Sequence, residues 1–254
     1  MTTWDLNHKR ALITGGTKGI GRAAVLEFLA LGAEVLFTAH HDDNVRVFEA
    51  ELRASGLTVT GLRADVAVAD EMEATARWIE QHWGALDILV NNAGMNIRKA
   101  TTDYTSEEYY QIIDVDLLAP FAWSRWLFAL LQKGHQPTIV NVASVAGLLD
   151  VQTGSPYGMA KAGLLQQTRN LAVEWAVDGI RVNAVSPWFT ETPLTTSLLG
   201  QPDRLHRVVE RTPQKRVAQA DEMAAAIAFL AMDKASYIAG QNLIVDGGLT
   251  ANAL

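Results

Sequence analysis

Apolar residues along the chain fall into two recurring patterns. Short runs rich in Val, Ile and Leu occur at 10–14, 32–39, 58–63, 86–91, 138–144, 180–186 and 242–245 and read as buried β-strands. Between them, apolar positions recur every three or four residues. This happens from a glycine turn at 15–21 to about Leu31, over 43–55, 68–83 and 105–132, from before Tyr157 to about Asp178, and over 219–232. That is the period of an amphipathic α-helix. Strand and helix alternate to the end, which predicts an α/β fold. It would be one doubly wound parallel sheet of about seven strands with helices on both faces and ligands at the carboxyl ends of the strands. One stretch, 188–217, follows neither pattern and scatters Pro193, Pro202 and Pro213 among Leu194, Leu198 and Leu199. It reads as a surface insertion or as a lid over the site, since long loops in compact domains tend to be functional.

Composition narrows this picture. A chain of 254 residues buries one large core and is expected to be a single domain over 1–254. No apolar run approaches the roughly 18–20 residues that span a bilayer. The first ten residues carry no apolar signal core, so the expected compartment is the cytoplasm. There is no cysteine, which removes disulfides, thiolate zinc sites and a cysteine nucleophile from consideration. A net charge of −7 without a basic stripe argues against a nucleic-acid partner.

The candidate chemistry gathers at the predicted strand ends. Gly15-Gly-Thr-Lys-Gly-Ile-Gly21 sits between a strand and a helix, where helix N–H groups and the dipole favour an anion and glycines let backbone approach a pyrophosphate. Its spacing is Gly-xxx-Gly-x-Gly and not the Gly-x-Gly-xx-Gly of the usual dinucleotide fingerprint, so a plain tight turn is the alternative. Asp65 follows the third strand, Asn91-Asn-Ala-Gly94 closes the fourth, and Ser144 ends the fifth. Tyr157 and Lys161, four apart, share one face of a helix. A free phenol titrates near ~10, so acid–base work at neutral pH calls for a fixed cation that favours the phenolate. The pair is a candidate general acid/base, with a solvated helix face as the bland alternative.

In this order along the chain, Thr14-Gly-Gly-Thr-Lys-Gly-Ile-Gly21, Asn91-Asn-Ala-Gly94, Ser144, Tyr157-xxx-Lys161, Pro187 with Thr192, and Val245-Asp-Gly-Gly248 resemble the short-chain dehydrogenase/reductase family over essentially the whole length. The segments around 91–95, 103–110 and 235–251 are similar to its tropinone-reductase-like branch, which reduces small or hydrophobic ketones with NADPH. The resemblance implies a single-domain Rossmann-type fold and no metal. It implies that Tyr157 exchanges a proton with the substrate oxygen, that Ser144 hydrogen-bonds that oxygen, and that Lys161 holds the ribose and lowers the Tyr157 pKa. It further implies a cofactor site. Gly15, Thr17, Gly19, Ile20 and Gly21 would carry the pyrophosphate, Asp65 and Val66 the adenine, Asn91, Ala93 and Gly94 the adjoining ribose and backbone, and Pro187 and Thr192 the carboxamide. Two positions depart from the family. Asp116 stands where the family has a catalytic Asn, and an ionised carboxylate near Lys161 would compete for the ammonium and alter the pH profile. Trp188 stands where a Gly usually follows the Pro, and with Leu148, Leu149 and Leu198 it suggests an apolar substrate.

Cofactor choice is read at the end of the second strand, where an acid would hold the 2′-hydroxyl of NAD and repel the phosphate of NADP. That position is Ala39, followed by His40, and Lys18 stands in the glycine turn. Together they favour NADP(H) over NAD(H), although histidine is a weak, pH-dependent clamp and Asp42 and Asp43 oppose it. His40-His41-Asp42-Asp43 reads as a polar turn and not as metal ligands. The leading expectation is an NADP(H)-dependent interconversion of a small to medium apolar ketone and its secondary alcohol. The alternatives are a 3-oxoacyl-acyl-carrier-protein reductase, an NAD-dependent sugar or secondary-alcohol dehydrogenase, and a cofactor-sensing or scaffold protein without activity. The resemblance also implies a homotetramer, in which Trp123, Trp126 and Trp175 either form an interface or fill the core.

Overall fold

The computed structural model describes residues 4–252. Its strands are β1 (Arg10–Thr14), β2 (Glu34–Ala39), β3 (Val59–Arg63), β4 (Ile88–Asn91), β5 (Thr138–Val142), β6 (Arg181–Pro187) and β7 (Asn242–Val245). Its helices are α1 (Gly19–Ala30), α2 (Asp42–Ala54), α3 (Ala69–His82), α4 (Ser106–Ile113), α5 (Ala119–Leu131), α6 (Ser155–Glu174), α7 (Thr196–Leu199), α8 (Pro202–Arg211) and α9 (Ala220–Ala231). The strands pair in parallel in the order β3-β2-β1-β4-β5-β6-β7, the doubly wound sheet that the alternation of patterns predicts.

Alternation along each strand divides the core into two layers, because successive side chains leave a strand on opposite faces. Ala11, Ile13, Val35, Phe37, Ile88 and Val90 pack with α1, α2 and α9. Leu12, Leu36, Leu89 and Ile139 point the other way and pack with α3, α5 and the end of α6. Each large side chain buried in this manner contributes about 1.5–3 kcal/mol. At the amino ends of the strands a buried carboxylate locks β1 to the turn before β4. Asp87 accepts from the Arg10 backbone at 2.8 Å, from its guanidinium at 2.8 and 3.0 Å, and from the His135 N–H at 2.7 Å.

Strand order reverses beside β1, so the crevice that binds ligands in such sheets opens at the carboxyl ends of β1 and β4. Thr14 fixes its geometry. The hydroxyl of Thr14 accepts the N–H groups of Asn92 and Ala93 at 3.0 and 3.1 Å, and Asn92 Nδ2 donates to the Thr14 carbonyl at 2.9 Å.

Three expectations change or narrow. The predicted helix over 105–132 is interrupted by a π turn at Asp114–Leu118. Pro120 lacks the N–H that would bond the carbonyl of Asp116 four residues earlier, and the helix widens there. The irregular stretch 188–217 contains α7 and the amphipathic α8, which docks through buried Val208. Of the three tryptophans for which interface and core both stood open, Trp123 and Trp175 belong to the core at 1% and 8% exposure, and only Trp126 is exposed, at 38%. Among the described residues no helix is long and apolar enough to cross a membrane.

Candidate active site

A cavity of about 700 Å³ lies along the carboxyl edge of the sheet. One end is built from the turn between β1 and α1. Gly21 sits so close to the Gly15 carbonyl that a Cβ there would meet it at 2.2 Å, and would meet Asn92 Nδ2 at 2.4 Å. Only glycine permits that closure. The N-cap residue of α1, Lys18, makes no side-chain cap, and no acid occupies the first turn. The helix therefore turns uncapped N–H groups and its positive end to the cavity, a cradle that fits the pyrophosphate of a dinucleotide. Gly15, Thr17, Lys18, Gly19, Ile20 and Gly21 line this part, with Ala39 and His40 from the end of β2 and Asp65 and Val66 from beyond β3. The rings of His40 and His41 meet at a tilt of 45°, 3.8 Å between centroids. Burial, and then the neighbouring His41, holds its pKa below the usual 6.5.

The other end gathers Ser144, Tyr157, Lys161 and Asp116. Ser144 follows β5 and caps a single 3-10 turn, Val145–Gly147, by accepting the Ala146 N–H at 3.1 Å. Gly147 lets that turn press on α6, where a Cβ would stand 2.8 Å from the Lys161 carbonyl carbon. This contact brings Ser144 against the first turn of α6, which carries Tyr157. Lys161 follows one turn later, its Nζ 5.6 Å from the centre of the Tyr157 ring. That ammonium donates to the Val142 carbonyl at 3.1 Å and lies 2.9 Å from Asp116 Oδ1. The π turn places Asp116 at the cavity wall, fully buried, with its Oδ2 accepting the Met95 N–H at 3.2 Å.

The electrostatics follow from this packing. Burial pushes the Asp116 carboxyl up, against the pull of Lys161. Burial alone would lower Lys161, but Asp116 and then Tyr157 carry it above its usual value. The first direction favours a neutral acid and the second an ion pair. The 2.9 Å contact and the Met95 N–H favour the ion pair. Tyr157 is raised by burial, lowered by Lys161, and raised again by Asp116, for a net shift upward. Lys161 does pull Tyr157 down, as expected, but burial first and Asp116 after it outweigh the ammonium.

Pro187, Thr192, Ala93 and Gly94 line the cavity as well. Asn91 does not. Its Nδ2 donates to Asn141 Oδ1 at 2.9 Å, and Asn141 reaches Thr168 of α6 at 2.9 Å, so Asn91 braces the buried sheet against α6 while Asn92 faces the cavity. Trp188 is a lining residue whose Nε1 donates to Thr212 Oγ1 at 3.0 Å, tying it to the end of α8. The sequence reading missed Met95, Arg98, Gln111 and Phe189, which also line the cavity. No motif marks them, because they come from loops and helix faces whose direction is set by packing. Among the described residues, no group of three or more His, Cys, Asp or Glu is placed to hold a metal ion.

Comparison with known proteins agrees with this geometry. The profile of a family described as enoyl-(acyl carrier protein) reductase matches residues 15–250. A tropinone reductase homologue of Arabidopsis thaliana is 42% identical over 250 residues, covering 98% of this chain and 95% of its own. Senescence-associated protein 13 of the same plant is 39% identical over 250 residues, 98% of this chain and 93% of its own. Among solved structures, a gluconate 5-dehydrogenase from Burkholderia cenocepacia in complex with NADP and tartrate superposes with a TM-score of 0.94 at 30% identity, over 98% of both chains. Levodione reductase superposes with a TM-score of 0.91 at 30% identity, over 97% of this chain and 99% of its own. With the glycine turn, the sheet order and these relatives in agreement, the chain belongs to the short-chain dehydrogenase/reductase family of NAD(P)-dependent oxidoreductases.

Proposed function

We propose that the protein interconverts a small to medium, largely apolar ketone and its secondary alcohol with NADP(H). The observation that carries this reading is the convergence of Ser144, Tyr157 and Lys161 on one end of a cavity whose other end is the glycine cradle. The bound nicotinamide supplies or takes up the hydride. Tyr157 gives the proton to, or removes it from, the substrate oxygen, and Ser144 donates a hydrogen bond to that oxygen. Lys161 holds the ribose hydroxyls and supports the phenolate. Lys18 and His40, beside the acid-free Ala39, receive the 2′-phosphate.

Residues 188–217 act as the lid of this one-domain enzyme. Thr190 bridges Ala218, so the segment leaves and returns at one point, and Trp188 ties its helix α8 to the cavity. Exposed Phe121 and Trp126 on α5, Met159 and Val173 on α6 and Ile244 on β7 support a homotetramer, which light scattering tests. We place the enzyme in the cytoplasm, although one Arabidopsis relative is chloroplastic.

The test begins with melting temperature against NADPH and NADH, since a ligand bound only by the folded state stabilises it by mass action, about 2.7 kcal/mol at a hundredfold excess over Kd. A larger NADPH shift supports the assignment, and an NADH preference overturns it. With a ketone panel in hand, Tyr157→Phe should lose on the order of 10²–10⁴ in kcat while still binding cofactor. Retained turnover would remove Tyr157 from its role.

A further inference from the structure

The substrate end of the cavity holds a cation that no acid among the described residues pairs. Arg98 lines the cavity in the loop after β4. Among the described residues it forms no ion pair, although most other arginines in the fold meet an acid. The groups that act on it electrostatically are Tyr157, Arg204 and Tyr104, and none of them is a carboxylate. Its Nε is buried without a hydrogen-bond partner, and its Nη2 makes one long bond, 3.3 Å, to the Leu194 carbonyl. Burial accordingly weakens its hold on its proton. A guanidinium presents five donors in a planar fork. This one leaves most of them unspent beside the proposed general acid.

The surroundings hold Arg98 ready. The Tyr104 hydroxyl donates to the Ile97 carbonyl and accepts the Lys99 N–H at 3.2 Å, clasping the backbone on both sides of Arg98. Arg204 of α8 is fixed by a 2.9 Å bond to the Gln152 carbonyl, and its charge is felt at Arg98. Neither acid that lines the cavity can neutralise the pair. Asp116 is engaged by Lys161, and Asp65 belongs to the end with the glycine cradle. Met95, Val151, Phe189 and Leu194 give this end an apolar lining, with Gln111, Thr153 and Thr195 as neutral polar members.

We propose that Arg98, assisted by Arg204, recognises a carboxylate of the substrate, so that the ketone and alcohol are an oxo acid and its hydroxy acid with an apolar body. This rests on the reading of the site as a ketone reductase and names its substrate class. In reduction, the carbonyl carbon gains the hydride that NADPH gives up and the oxygen gains the proton of Tyr157, while the carboxylate stays unchanged in the arginine fork. The charge-assisted bidentate pair fixes which end of the molecule enters first.

The experiment compares benzoylformate and benzoylpropionate, which set the carboxylate at two distances from the carbonyl, with their methyl esters. NADPH oxidation is followed for the wild type, Arg98→Met and Arg98→Lys. For at least one acid, kcat/KM should exceed that of its ester by roughly 10- to 100-fold. The preference should collapse in Arg98→Met and partly return in Arg98→Lys. Esters that match or beat both acids, or a preference that survives in Arg98→Met, overturn the carboxylate assignment while leaving the reductase reading in place.

If no carbonyl is turned over, the reductase reading fails for these probes and the assignment is decided by binding. Phenylacetate and phenylbutyrate should then raise the melting temperature of the NADPH complex more than their amides do, and Arg98→Met should erase the difference. Equal shifts by acid and amide overturn the assignment.

Discussion

Replacing Asp116 by Asn removes one charge from the centre of the site and keeps an oxygen for Met95. The ammonium of Lys161 stands 5.6 Å from the Tyr157 ring centre and 2.9 Å from the carboxylate. At the first distance a full charge acts on a charge at the ring with about 3 kcal/mol at an effective dielectric of ~20. Burial is the main reason that Tyr157 lies above its ordinary value despite the adjacent Lys161, and the carboxylate adds to it by cancelling part of the ammonium's pull. Asp116→Asn should therefore lower the apparent pKa of Tyr157.

The sign differs between directions. Alcohol oxidation needs the phenolate, so its kcat/KM should rise at lower pH in the variant. Ketone reduction needs the phenol, so its kcat/KM should begin to fall at lower pH. Profiles recorded from about pH 6 to 11 in both directions, reaching past the ordinary tyrosine value near ~10, give the two limbs. The variant should also lose roughly 1–3 kcal/mol of stability, less than outright removal of a partner from a buried pair. Superimposable pH profiles for variant and wild type would refute the reasoning, whatever the change in melting temperature.

Lys18→Ala should weaken NADPH binding about tenfold, the scale of one charge-assisted contact, and leave NADH nearly unaffected; calorimetry showing equal losses would remove Lys18 from the phosphate site. The preference for NADPH should grow as pH falls from about 8 towards 6.5, because His40, held below 6.5 in the free protein, gains a proton to meet the phosphate; a flat ratio would exclude it. Trp188→Gly removes the 3.0 Å bond to Thr212 and should widen the range of ketones reduced, which a substrate panel checks and an unchanged range contradicts. Asp87 lies below its usual 3.8: burial works to raise it, but the Arg10 and His135 hydrogen bonds outweigh burial. The stability it contributes is present above pH 3.8 and lost as pH falls through its lower folded value. Asp87→Asn should cost about 3 kcal/mol near neutral pH, with the gap to wild type closing in acid; a gap independent of pH would place the effect elsewhere.

Much of this protein is written in patterns a few residues long. The alternation of strand and helix, the closure at Gly21 and the spacing of Tyr157 and Lys161 depend on backbone geometry and helical period, and these act over one or two turns. They determined the sheet, the cradle and a Tyr–Lys pair on one helix face. Which way a side chain points at the end of an element depends instead on what packs against it. Asn91 and Asn92 are neighbours of one type at the end of β4, and only the packing of β5 and α6 sends the first into the core and the second to the cavity. The helical period of α5 allowed Trp123 and Trp126 to be core or surface, and the sheet chose the first for burial. Asp116 was visible as a substitution, yet its contact with Lys161 arises because the π turn before Pro120 and the start of α6 meet across the site. Arg98 carried no motif at all. Its isolation from the carboxylates among the described residues is a property of three-dimensional neighbours, since charge and burial are decided by residues far apart in the chain.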